Sequence, residues 1–196
     1  MNHVAAFAAV LCGLVLSVSA VGKARGKGVY AEFVASVPAF GIPARWARWF
    51  AAVTLAAEFA IAALLLPAAA LIVSGADAGR WLALGGLVLA TGLFGVLTAA
   101  VWRAVARRTG AVCRCFGPAR TVLAYRHVVR NALLLLVAAA GVLAVSGVDG
   151  GEPVGLALAS AVGAVGAVAV VRFEDLAELF AGPVRPRIPA SRRRTP

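Results

Sequence analysis

The sequence predicts an all-α integral membrane bundle of about five transmembrane helices, a count fixed by the bilayer thickness that each apolar run must cross. Three observations carry this expectation. The 196-residue chain is 62% hydrophobic and only 14% charged, whereas soluble domains run about 45–50% apolar and about 25% charged. The apolar residues fall into five long runs, each able to cover a hydrocarbon core of about 30 Å at about 1.5 Å per residue. Lys and Arg collect in alternate connections between those runs, as cytoplasmic loops do.

The first run, Val4 to Gly22, carries no Lys or Arg ahead of it and is followed by Lys23, Arg25 and Lys27. That order is the reverse of a secretory signal, so the run reads as a retained span despite the small residues Ser17 to Ala20. Residues 23–48 form a polar connection with Pro38, Pro43 and an amphipathic stretch from Val29 to Val37 that suits a short interfacial helix. Trp46 and Trp49 beside Arg45 and Arg48 mark where the second span, about Trp49 to Val73, enters the headgroup region. A turn at Ser74 to Gly79 leads to Arg80 and Trp81, which open a third span ending at Trp102. The long basic connection Arg103 to Arg130 follows, then a fourth span, about Val128 to Ser146. An acidic turn, Gly147 to Pro153, precedes a fifth span, about Val154 to Val171.

The four connections hold five, one, seven and no Lys or Arg in order. The positive-inside rule therefore predicts an outward N-terminus and a cytoplasmic C-terminus in the plasma membrane. Residues 1–172 read as one transmembrane domain. Residues 173–196 read as a basic, Pro- and Arg-rich cytoplasmic tail expected to be disordered, after a short amphipathic turn at Phe173 to Phe180. The formal charge of +11 is split among short clusters rather than gathered on one face, so the bilayer is the expected partner and nucleic acid is not. Twenty-one glycines and many alanines suit membrane helices, whose backbones approach closely where side chains are small.

Chemistry concentrates in a few residues. Cys113 and Cys115 flank Arg114 at the centre of the basic connection. Two cysteines one residue apart close only a small, strained ring, and strained disulfides exchange readily. Arg114 and its basic neighbours favour the thiolate, the reactive species. Three readings stay open for the pair: inert loop cysteines, a redox or exchange pair, or part of a metal site, the last short of ligands because four-coordinate sites need more than two. His127 is the other nearby candidate ligand and reads as an interfacial polar residue; no metal is expected. Cys12, within the first run, reads as a small buried hydrophobe.

Glu58 stands inside the second span, where an ionisable group is costly and calls for a partner. Lys23 is the candidate, with Arg48 the alternative, and a structural pair and a catalytic one are both open. Thr54, one turn earlier, shares the face of Glu58. Asn131, just inside the fourth span, is suited to an interhelical hydrogen bond. No haem, flavin or nucleotide motif is present, so no cofactor is expected.

These features, in this order, resemble the methylamine utilisation protein MauE family within the DoxX-like group of small membrane proteins. The matching elements are Ser-Ala-Val-Gly-Lys at Ser19 to Lys23, the stretch Phe33 to Pro43, Glu58 followed by Leu64 to Pro67, Cys-Arg-Cys-Phe-Gly at Cys113 to Gly117, and the pair Arg130 and Asn131. The resemblance covers roughly residues 4–147 and implies a four-helix DoxX-like core, to which this chain adds a C-terminal span. It implies a membrane accessory role in thiol/disulfide handling, in which a disulfide-rich subunit of methylamine dehydrogenase matures alongside a thioredoxin-like partner. Arg114 departs from the commoner Cys-Gly-Cys and makes the turn stiffer and more basic. The rival expectations are a non-catalytic scaffold or transporter subunit, and a quinone-coupled oxidoreductase subunit with quinone as a further partner.

Overall fold

A computed structural model of the chain describes residues 2–107, 112–113, 121–122, 125–145 and 152–173. Each apolar run becomes a helix: α1 spans Asn2–Ala24, α3 Ala44–Val73, α4 Asp77–Ala106, α5 Tyr125–Val145 and α6 Pro153–Val171. Among the described residues these five are long and apolar enough to cross a membrane. The connection after α1 holds the short helix α2, Lys27–Ser36, continued by a 3₁₀ turn over Val37–Phe40. Gly41 ends that turn at φ 89°, a left-handed conformation open to glycine without steric cost. Between α4 and α5, β1 (Val112–Cys113) pairs antiparallel with β2 (Thr121–Val122), setting Cys113 opposite Thr121.

The helices run further than the apolar runs alone suggest. α3 begins at Ala44 rather than Trp49, α4 at Asp77 rather than Arg80, and α5 at Tyr125 rather than Val128. Aromatic and basic residues at a membrane boundary satisfy the backbone as well in a helix as in a loop, so the first polar turns stay helical. Pro67 sits inside α3 without ending it; neighbouring helices and local adjustment tolerate such a break in lipid. The α3 terminus closes at Gly75, φ 77°, where Ala76 N–H donates to Leu71 O at 2.9 Å and Gly75 N–H to Ile72 O at 3.2 Å. This is the two-bond glycine cap that satisfies orphan carbonyls.

Side-chain size is sorted in the manner of a membrane protein. Ala5, Ala6, Ala8, Ala9 and Ala20 of α1 are buried, while large residues such as Leu136, Leu143 and Val165 face outward. With lipid as apolar as the interior, close backbone approach drives association more than apolar burial does. Gly163 shows the consequence: a Cβ there would stand 2.7 Å from the carbonyl oxygen of Phe7, so α6 lies directly on α1. Successive spans alternate in direction. Gly86 meets Leu65 and Gly79 meets Ile72 where α4 runs back along α3, and Gly141 meets Ala8 where α5 runs back along α1.

Trp81 and Trp102, both exposed on α4, stand twenty-one residues apart. At about 1.5 Å per residue that is about 31 Å, the hydrocarbon thickness. The Trp102 ring meets Tyr125 of α5 edge-to-face at 6.0 Å, and Trp49 of α3 is exposed. Together they form an aromatic belt at the Lys- and Arg-rich end. α2 lies at this same end, held by a small cluster of Val37, Ala47 and Ala51 with Phe33, Val34 and Ile42 around it. Of the amphipathic turn expected from Phe173 to Phe180, Phe173 alone is described; residues 174–196 of the tail lie outside the described residues.

Candidate functional site

The polar residues buried within the bundle converge at the Lys- and Arg-rich end. Lys23 is in the last turn of α1, and Ser19 lies one turn before it on the same face, the spacing at which helix side chains meet. Lys23 Nζ donates to Ser19 Oγ at 2.9 Å and forms an ion pair with Glu58 Oε1 of α3. Ser19 Oγ in turn donates to Glu58 Oε1 at 3.2 Å. The ammonium also lies 5.0 Å from the centroid of the Phe33 ring of α2. An ammonium has donors and no acceptor, and here they meet a hydroxyl, a carboxylate and an aromatic face.

Lys23 and Glu58 are 4% and 1% exposed. Burial of two charges is tolerated in lipid only when they are paired and hydrogen-bonded. The arrangement therefore ties three helices together, α1, α2 and α3, through one cation.

On the facing side α5 presents a buried polar stripe. His127, Arg130 and Asn131 are 2%, 5% and 5% exposed. His127, expected at the interface, is instead enclosed. Because α5 starts at Tyr125, positions 127, 130, 131 and 134 fall on one helical face, and that face is turned to the bundle.

Between the two sides is a cavity of about 160 Å³, an order of magnitude more than the 10–15 Å³ or so that one water needs by the same kind of measure. Ser19, Lys23, Thr54, Glu58, Arg130 and Asn131 reach it. Apart from Ser36 its remaining wall is apolar and includes Phe33, Phe40, Phe50 and Phe94.

The structure thus brings Lys23, Glu58 and Asn131 to one site, and adds Arg130. Arg48 is exposed and does not reach Glu58 among the described contacts. Cys113 is described by its backbone alone, in the ribbon joining α4 to α5. Arg114 and Cys115 lie outside the described residues. Cys12 is fully buried in α1. Among the described residues no three His, Cys, Asp or Glu side chains come together as metal ligands. Ser19 and Phe33 are members of the site that the sequence names only as the first residues of two family-like stretches, with no role of their own; the four-residue spacing of Ser19 from Lys23 is the available signal.

The comparisons with known proteins bear on this arrangement. No curated protein and no solved structure matches the chain. A family model, described as methylamine utilisation protein MauE, matches residues 1–144. That range takes in α1 to α4, nearly all of α5, every residue that reaches the cavity and the Cys113 to Gly117 stretch. This multi-pass membrane chain belongs to the methylamine utilisation protein MauE family.

Proposed function

We propose that the protein is a membrane accessory factor of methylamine utilisation that handles thiols and disulfides while a partner enzyme matures. The observation that carries the reading is the family match over residues 1–144, which includes the Cys-Arg-Cys-Phe-Gly stretch. In this reading Cys113 and Cys115 exchange with a thioredoxin-like partner, and Arg114 favours the thiolate. Lys23, Glu58 and Asn131 order the helices on which that connection stands. The protein acts in the plasma membrane with its N-terminus outside and its C-terminus in the cytoplasm, as the five, one, seven and zero distribution of Lys and Arg supports. Residues 1–172 act as one domain and 173–196 as a basic tail.

Thiol exchange passes through a mixed disulfide, and removal of one cysteine of a pair traps it. Cells carrying Cys113→Ser or Cys115→Ser are expected to accumulate a reductant-sensitive adduct on non-reducing gels, absent from the double variant. If neither single variant yields an adduct and client thiols match wild type, the exchange reading is lost.

A second reading has its own support. The buried Lys23, Ser19 and Glu58 group suits a non-catalytic scaffold or transporter subunit in which Glu58 matters and the cysteines do not. Under it Glu58→Gln abolishes function and the double serine variant leaves function unchanged.

A further inference from the structure

A second concavity opens at the same end of the bundle and takes no part in the buried ion pair. It is a groove of about 190 Å³ between the turn Pro38 to Gly41 and the last turns of α4, where Arg103, Ala104 and Arg107 line it. One water needs about 10–15 Å³ by the same kind of measure, so the groove admits a group of many heavy atoms. Its floor is apolar, with Ala39 and Phe40 packed against Val101 and Ala104. Its cations are Arg103 and Arg107, both exposed and one helical turn apart on α4.

Like charges at that spacing repel each other, and nothing described offsets them. Among the described residues neither guanidinium makes an ion pair or a side-chain hydrogen bond, and no carboxylate lines the groove. Glu58 is held by Lys23, Asp77 and Glu152 stand at the starts of α4 and α6, the far end of the bundle, and Glu32 of α2 is exposed and does not reach the groove. The C-terminal end of α4 contributes about half a negative charge, which two guanidinium groups exceed. The groove is left net positive.

Depth names the source of an anion. Arg103 directly follows Trp102 of the aromatic belt and Arg107 is five residues past it, about 8 Å along the helix axis. The headgroup layer is about 5–8 Å deep on each side of the hydrocarbon, so the two residues span the layer in which lipid phosphates lie. Each guanidinium offers the planar fork that grips phosphate oxygens in pairs. A choline or ethanolamine head would bring a third cation to two, so the fitting head carries a phosphate and no ammonium. The apolar floor suits the glycerol and the start of an acyl chain.

We propose that this groove is a binding site for an anionic phospholipid of the phosphatidylglycerol type, its phosphate between Arg103 and Arg107 and its glycerol end on Ala39 and Phe40. Basic pockets between spans hold anionic heads by the same chemistry. The inference does not depend on the thiol reading. Arg107 stands six residues before Cys113, so a bound head sits at the root of the connection that carries the cysteine pair.

Native mass spectrometry of the purified full-length protein, released from nanodiscs with equal amounts of phosphatidylglycerol and phosphatidylcholine, reads which lipid stays bound. Wild type is expected to retain phosphatidylglycerol in preference. Loss of a charge-assisted hydrogen bond corresponds to about tenfold in affinity, so Arg103→Gln and Arg107→Gln should each weaken retention by that factor. Arg103→Lys with Arg107→Lys keeps the charge but not the fork and should still weaken it. Arg45→Gln with Arg48→Gln, which removes two exposed charges of α3 at the same end, should leave it at the wild-type level. Inorganic phosphate at millimolar concentration is the second arm and should not displace the lipid. Absence of a lipid preference, equal loss in the α3 variant, unchanged retention in the double lysine variant, or displacement by inorganic phosphate would overturn the proposal.

Discussion

Lys23 of α1 and Glu58 of α3 meet in a buried ion pair that shares Ser19 as a common hydrogen-bond partner. The two charges come from helices whose contact elsewhere sets Gly13 of α1 against Leu65 and Leu66 of α3. Their pairing fixes the register of α1 against α3 more narrowly than apolar contact can, since a shift of one residue along either helix would leave a charge in lipid.

The first prediction concerns that pair. Lys23→Met or Glu58→Leu alone strands the remaining charge, and each should destabilise the fold by about 3–5 kcal/mol. The double variant should recover most of that loss, because no charge is left buried. Thermal unfolding in detergent for the two singles and the double measures the coupling directly; additive losses would mean that the pair is not a unit.

A second prediction tests the contact between α6 and α1. Gly163→Ala forces a methyl group to within 2.7 Å of the Phe7 carbonyl oxygen, and overpacking of this kind costs about 1–3 kcal/mol. The melting temperature should fall, whereas Gly85→Ala, where nothing stands within 4 Å, should leave it level or raise it through better helix propensity.

The aromatic belts give a third. All four tryptophans lie at Trp46, Trp49, Trp81 and Trp102, near the two ends of an apolar band about 31 Å tall. Lipids brominated near the headgroup should quench their fluorescence more than lipids brominated near the chain terminus. The opposite order would displace the membrane from this band.

Orientation supplies a fourth. In intact cells an impermeant maleimide should leave Cys113 and Cys115 unmodified, and permeabilisation should expose both, as expected if their connection is cytoplasmic. Cys12, fully buried in α1, should resist labelling in both conditions. Labelling of Cys113 or Cys115 in intact cells would reverse the assigned sides.

Much of this architecture is legible in the amino-acid order. The five spans follow from long unbroken runs of apolar residues, because in lipid such a run satisfies its backbone within itself only as a helix. Glu58 announces a partner because a lone carboxylate in such a run is too costly, and Lys23 is the cation at the matching end. Hydropathy places the helix starts late, at Trp49 and Val128, because it falls off before helical geometry does, and so leaves Ala44 and Tyr125 unmarked. The burial of His127 escapes for the same reason, since the phase of α5 decides which side chains face inward. The ring of Phe33 is not legible as a site member: phenylalanine is ordinary in such segments, and only the fold of α2 against the end of α1 brings it to the ammonium, whereas Ser19 is marked by its four-residue spacing from Lys23. The cavity, too, depends on how α1, α2, α3, α4 and α5 pack around it, which no local pattern encodes.

The most direct measurement of the proposed role is the thiol content of the client enzyme in cells whose copy of this protein carries Cys113→Ser together with Cys115→Ser, expressed at wild-type level in the membrane. The account predicts a client that retains free thiols and is less active than one matured by the unaltered protein. A client with its full set of disulfides and normal activity would contradict it.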